Sequence, residues 1–318
     1  MSEPSFDHQP VMRDEIVDAL SPVPSGVVLD ATLGGAGHSE ALLESRDDIR
    51  VLGLDRDGDA LAAAWRRLAP HADRVMTQRC RFDELDEAMR ANDVEQLSGA
   101  LFDLGVSSPQ LDRAERGFSY RNDGPLDMRM DTDARWSADD VVNGYAESEL
   151  ADVIRRYGDE RFSRRIAAAI VAARPIESTT RLAEVITTAI PAPARRTGGH
   201  PAKRTFQAIR IEVNGELDAL PDALDRAIDA LVPGGRLAVL SYHSGEDRIA
   251  KERIRNAETG GCECPPELPC VCGAVQTVRV VRGIRKRPTA DEQASNRRAT
   301  SARLRVAEKL EPTPRSEA

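Results

Sequence analysis

An acid ends each of three short apolar runs: Asp30 after 27–29, Asp55 after 51–54 and Asp103 after 99–102. Just past the first lies Gly34-Gly35-Ala36-Gly37-His38. A strand, a glycine-rich turn and a helix in that order gather backbone N–H groups and the positive end of a helix dipole, which suits a nucleotide-like cofactor. Glycines in such a loop let the backbone take left-handed angles and come close to a ligand. The glycines at 34, 35 and 37 depart from strict G-x-G-x-x-G spacing, so the loop alone fits an ordinary strand-to-helix turn equally well. Asp55 stands eighteen residues past Gly37, at the tip of a second strand, where it would accept hydrogen bonds from both ribose hydroxyls of an adenosine. Its structural alternative is the N-cap of the helix that follows.

The run Asp103-Leu104-Gly105-Val106-Ser107-Ser108-Pro109-Gln110 leaves the fourth strand. In an open α/β sheet, ligands bind beyond the carboxyl ends of the strands near the switch point, so this turn is the expected reacting side of the site. A polar turn that simply leaves the sheet is the alternative. Ser241-Tyr242-His243-Ser244-Gly245-Glu246-Asp247 follows the fifth strand, and a structural hydrogen bond is the expected role of His243 rather than that of a base. Cys262, Cys264, Cys270 and Cys272 could enclose a zinc ion. Their C-x-C spacing is not the usual C-x₂-C, so reduced thiols in a loose loop are expected and no metal is assigned.

These residues need a scaffold that repeats strand and helix. Strands at 27–30, 51–55, 74–78 and 99–104 alternate with helices at 38–44, 58–69 and 83–91, which is a parallel sheet with crossover helices. Strand signals vanish from 112 to 205, and helical periodicity takes over at 136–156, 159–173 and 179–190. Phe162, Ile166 and Ile170 form an apolar stripe of core type. The α/β pattern resumes with helices at 205–217 and 220–231, a strand at 236–242, and β candidates at 277–282 and 302–307 that suit a closing hairpin. The fold class is therefore α/β, a mostly parallel sheet with an antiparallel C-terminal hairpin and an all-helical insertion. The expected domains are 1–111 with 206–310, an insertion at 112–205, and a disordered tail at 311–318.

Net charge is −9, which by itself argues against a nucleic-acid partner. The distribution argues for one: 279–305 holds nine Lys or Arg against Asp291 and Glu292, and 185–211 holds five basic residues, Arg204 among them, and no acid. Arg outnumbers Lys forty to four, which suits phosphate contact but equally reflects GC-rich codons. The longest apolar run, 166–173, is too short to span a bilayer, and 1–10 has no signal-like stretch. A cytoplasmic protein with no membrane partner is expected.

Taken together, these elements resemble the class I S-adenosylmethionine-dependent methyltransferases, and more closely the bacterial family of ribosomal RNA small subunit methyltransferase H. The runs D-L-G-V-S-S-P-Q-L at 103–111 and D-G-P-L-D-M-R-M at 123–130 are the most specific carriers. His8-Gln9-Pro10-Val11, 30–38, Asp55-Arg56-Asp57, E-R-G-F-S at 115–119, R-T-F-Q-A at 204–208 and P-G-G-R-L at 233–237 extend the match across 6–308. The resemblance implies a Rossmann-like sheet and methyl transfer from S-adenosyl-L-methionine to the exocyclic N4 amine of a cytidine in the decoding centre of 16S ribosomal RNA. It implies donor contacts from Ala36, Gly37, His38, Asp55, Phe82, Asp103 and Gln110. The family often has Gly at the place of Ala36, a substitution that matters only if that position needs a positive φ.

A cytosine amine is a poor nucleophile, because its lone pair is delocalised into the ring. It needs an acceptor for its N–H and tight alignment in a dry pocket, which contributes roughly 7–11 kcal/mol. The catalytic residues expected here are Ser108, Pro109 and Asp103, with a Ser108 oxygen or a backbone carbonyl of the turn holding the amine. Gln110 stands where an aromatic would stack on the base, so stacking is expected from Phe118, Tyr120 or Tyr242. Arg285, Lys286, Arg287 and Arg204 are the expected phosphate contacts to the small ribosomal subunit. Two other readings stay open: a non-catalytic RNA-binding assembly factor, and an NAD-dependent oxidoreductase on a similar sheet. Monomer and homodimer are both compatible with the sequence.

Overall fold

A computed structural model describes residues 10–196, 199–265 and 271–314, with only the backbone for Ser108, Arg196 and 312–314. The chain divides into two compact units, 1–105 with 217–318, and 106–216.

In the first unit α1 (Arg13–Leu20) precedes β1 (Gly26–Asp30), α2 (Gly37–Ser45), β2 (Ile49–Asp55), α3 (Gly58–Arg67), β3 (Val75–Arg79), α4 (Leu85–Ala91) and β4 (Leu97–Asp103). The second unit carries α5 (Ser108–Asp112), α6 (Glu147–Gly158), α7 (Ser163–Ala172), α8 (Thr179–Ala189) and α9 (Lys203–Asn214). The chain then runs through α10 (Glu216–Ala230), β5 (Leu231–Ser241), α11 (Ser244–Thr259), β6 (Val275–Val280), α12 (Ala290–Ser295) and β7 (Arg303–Pro314).

The seven strands lie in the order β3-β2-β1-β4-β5-β7-β6. The first five are parallel, with Val28 opposite both Val51 and Gly99. β7 runs antiparallel between β5 and β6. The expected parallel sheet with a closing hairpin is what forms. The central strands β1 and β4 are buried along nearly their whole length, as a sheet covered on both faces requires. Leu29, Phe102 and Val239 pack on one side with Leu85 of α4, Leu224 of α10 and Ile254 of α11. Val28, Leu101 and Leu240 pack on the other with Ile16 of α1 and Leu42 of α2. β1 sits centrally, and the order of strands reverses between β1 and β4, so their carboxyl ends frame the crevice where such sheets hold ligands.

Several bounds differ from expectation. The helical unit starts at Val106 and ends at Glu216, earlier and later than 112 and 205, because α9 packs against α6 and buries Phe206 and Ile209 in that unit's core. Amphipathic spacing shows that a helix packs, but not against which neighbour. The tail expected from 311 is strand as far as 314, where Gln276 pairs with Thr313 and Val275 with Pro314; 315–318 lie outside the described residues. The helix expected at 136–156 is instead a π-turn at Asp140–Gly144 followed by α6.

The second unit encloses Met128, Val141, Leu150, Ile154, Ile166, Ile170 and Ile186. Its irregular stretch is internally tied: Asn214 on α9 accepts from Met130 N at 2.9 Å and donates to Met128 O at 2.7 Å. Arg116, also buried, donates to the carbonyls of Arg129 and Met130. A Cβ at Gly124 would collide with the Ala114 carbonyl, which accounts for glycine in D-G-P-L-D-M-R-M. Among the described residues no helix is long and apolar enough to cross a membrane.

Candidate active site

The three acids stand at the carboxyl tips of β1, β2 and β4, each in different surroundings. Asp30 is buried and accepts from Ser39 Oγ at 2.6 Å and Thr32 N at 3.3 Å, so it locks the loop to the first turn of α2. Burial raises its pKa above the ordinary carboxylate value. Asp55 is half-buried. It accepts from Gly34 N at 2.8 Å through Oδ2 and from Asp57 N at 2.8 Å through Oδ1. The cap of α3 is Asp57, which accepts from Asp59 N, so Asp55 does not serve as that N-cap. Burial pushes the Asp55 carboxyl up to about 6, against the opposing pull of its two backbone donors.

Asp103 is the hub. Tyr242 donates its hydroxyl to Oδ1 at 2.7 Å, and His38 Nδ1 stands 3.5 Å from Oδ2. Thr32 of the glycine-rich loop accepts from the Asp103 backbone N–H at 2.7 Å, which joins that loop to β4. Burial pushes Asp103 up to about 6, with His38 and the Tyr242 hydroxyl opposing. The same burial, with the Asp103 charge beside it, holds the Tyr242 phenol well above its usual value, so it remains a donor. His38 is buried, and its Nε2 lies 2.9 Å from the Val11 carbonyl, which requires Nε2 to carry the proton.

A family model described as the MraW methylase family matches residues 5–310. The chain belongs to this family. Relatives include proteins named ribosomal RNA small subunit methyltransferase H. One, from a Paenibacillus species, is 49% identical over 316 residues, covering 96% of this chain and 100% of its own. Another, from Saccharopolyspora erythraea, is 49% identical over 310 residues, covering 95% and 93%. Among solved structures, an rRNA methylase from Streptococcus thermophilus is similar at 13% identity and a TM-score of 0.41, covering 94% of each chain.

In this chain Ala36 has φ 60 and ψ 23, the left-handed conformation that its loop demands and that Gly would adopt without strain. Gly37 opens α2 against the Pro10 ring. Phe82 is half-buried, its ring 6.0 Å from Phe102 in an edge arrangement. Pro109 lies in the first turn of α5, and Gln110 is buried with its Oε1 accepting from Ser107 N at 3.0 Å, a capping role the sequence did not suggest. The Ser108 side chain lies outside the described ones.

The three aromatics expected to stack on a base have other engagements. Phe118 is buried in the core of the helical unit. Tyr120 stacks on His200 at 4.4 Å. Tyr242 serves Asp103, a link of 139 residues that no local pattern announces. His243 caps α11, accepting from Gly245 N at 3.2 Å, in the structural role expected of it.

The basic segments are partly neutralised. Arg303 and Arg305 pair with Asp247, Arg279 with Glu308, and Arg210 with Glu216. Arg285 lies 3.5 Å from Glu15. Arg204 donates to the Asp159 carbonyl at 3.1 Å. Lys286 and Arg287 are exposed and in no ion pair among the described residues.

Proposed function

We propose that this chain transfers a methyl group from S-adenosylmethionine to the N4 amine of a cytidine in 16S ribosomal RNA of the small subunit. The observation that carries the reading is the trio of acids on three adjacent parallel strand tips, within a chain of the MraW methylase family. The charge state of the site fits the donor. Burial pushes Asp55 and Asp103 up to about 6, and hydroxyl and amine donors or a sulfonium charge would relieve both. A carboxylate offers roughly four acceptor positions, and Asp55 uses two on its own backbone, so two ribose hydroxyls fit the remainder.

The donor supplies an activated methyl group on sulfur. The protein supplies everything else. Asp55 holds the ribose, Phe82 lies against the adenine, Asp103 accepts from it, and the backbone of Ala36, Gly37 and His38 lines the loop side. Gln110 contributes by fixing its turn. The acceptor amine donates an N–H to a Ser108 oxygen or a carbonyl of 107–110, which favours a tetrahedral nitrogen and later receives the proton. The base must be unpaired or extruded to enter. Lys286, Arg287, Arg285 and Arg204 contact phosphates, and the work is done in the cytoplasm.

The deciding experiment is tritium transfer from labelled S-adenosylmethionine to small subunits from a strain lacking this gene, with the labelled nucleoside identified by mass. N4-methylcytidine is expected. Another labelled nucleoside would keep the donor and discard the acceptor; donor binding without label would favour the assembly factor. Lys286→Glu with Arg287→Glu is expected to weaken RNA binding and to cut the salt slope by about 2, leaving donor affinity unchanged.

A further inference from the structure

Among its described residues, the loop between α11 and β6 buries little apolar surface. Val271 is 89% exposed, and Ala274 is the only apolar side chain that the described part of the loop buries. Its base is nonetheless pinched. Gly260 has a left-handed φ and lies so close to Val275 that a Cβ would collide with that residue's backbone. Thr277 Oγ1 donates to the Ala257 carbonyl at 3.3 Å just beside it. Gly261 N to Asn256 O and Cys262 N to Thr259 O then turn the chain off the end of α11.

Beyond this neck the sulfurs of Cys262, Cys264 and Cys272 lie within 4.8 Å of one another. The Cys264 backbone N–H donates to Cys262 Sγ at 3.4 Å. Three sulfurs gathered in a polar loop repel one another once ionised, unless a cation lies among them. A tetrahedral zinc thiolate has a Zn–S distance of about 2.3 Å, hence sulfurs about 3.8 Å apart, so the cluster needs to contract by no more than about 1 Å. Soft sulfur donors with no carboxylate among them select zinc over magnesium or calcium.

We propose that Cys262, Cys264 and Cys272 ligate a structural Zn²⁺ that closes this loop and fixes the junction of α11 with β6. Zinc binding releases the thiol protons, so occupancy falls in acid. The sequence carries a further thiol, Cys270, which lies outside the described residues. Cys80 belongs to another part of the sheet and takes no part; burial pushes its thiol up to about 12, which disfavours a metal-binding thiolate there.

The test uses the full chain, purified without chelator or affinity tag, loaded with Zn²⁺ and dialysed against metal-free buffer. Elemental analysis by plasma mass spectrometry is expected to find one zinc per chain. Cys262→Ser with Cys264→Ser is expected to lose it, while tritium transfer is retained. Should that variant fail to fold, Co²⁺ in the unaltered chain is expected to give sulfur-to-cobalt charge-transfer absorption and tetrahedral d–d bands. A metal-free unaltered chain without a cobalt spectrum would overturn the site, as would an intramolecular disulfide between these cysteines found by mass under non-reducing conditions.

Discussion

Two irregular stretches of this chain look alike as sequence and behave differently as structure. The loop at 30–38 and the loop at 116–130 are both glycine-bearing and acid-bearing, and both take part in the family resemblance. In the second, Asn214, Arg116 and the close packing around Gly124 tie the stretch to its own unit. Around the first, Asp55 and Asp103 on the neighbouring strand tips are half-buried and keep room for further donors, and burial raises both carboxyls to about 6. A signature therefore does not separate architecture from chemistry. What separates them is whether the polar groups are content without a ligand.

Substitutions should divide along the same line. The largest effect is expected at Gly124→Ala. The new Cβ meets a backbone carbonyl that cannot rotate away, and both hydrogen bonds between Gly124 and Thr179 are endangered. A loss of about 4 kcal/mol is expected, read by calorimetric unfolding. An unchanged melting temperature would show the stretch to be looser than its packing implies.

Next is Asp55→Asn. Hydrogen bonds to a charged acceptor contribute about 1.5–3 kcal/mol each, so titration calorimetry should record a loss of donor affinity of a hundredfold or more. The melting temperature should move little, because relief of a buried charge offsets the poorer match to Gly34 N and Asp57 N. A large loss of stability with affinity intact would make Asp55 a structural residue like Asn214.

A third experiment varies pH. Asp55 and Asp103 have folded values near 6, above the ordinary 3.8 of a free carboxylate, so the folded state binds more protons between those limits. Their contribution to the stability of the ligand-free protein therefore grows as pH falls from above 6 toward 4, the reverse of a salt-bridged acid. Donor affinity, which needs both as acceptors, should fall over the same range. The smallest effect is expected from Ala36→Gly, which removes a left-handed alanine and should stabilise by about 1 kcal/mol with donor affinity unchanged.

Much of this was legible in the chain. Strand tips, the glycine-rich turn and the antiparallel close follow from alternation, β-branched runs and turn residues, which are local signals. What escaped depended on distant partners. Nothing near Tyr242 announces that its hydroxyl ends on Asp103, and nothing in the spacing of Phe206 and Ile209 says which core they join. Asp55 was the cap candidate in the sequence, and the backbone trace assigns the cap to Asp57 instead. The positive φ of Ala36 was invisible because alanine does not advertise it.

The position of β7 has a consequence for how the molecule is made. This strand fills the gap between β5 and β6, yet it follows both in order of synthesis. Until 303–314 emerge, the edge of β5 is a bare row of N–H and C=O groups open to any other extended chain. The nascent protein therefore passes its most aggregation-prone interval with five parallel strands assembled and the sheet still unsealed. The Lys309 ammonium, bonded to the Ile228 carbonyl at 2.8 Å, joins the late strand to a helix built long before it.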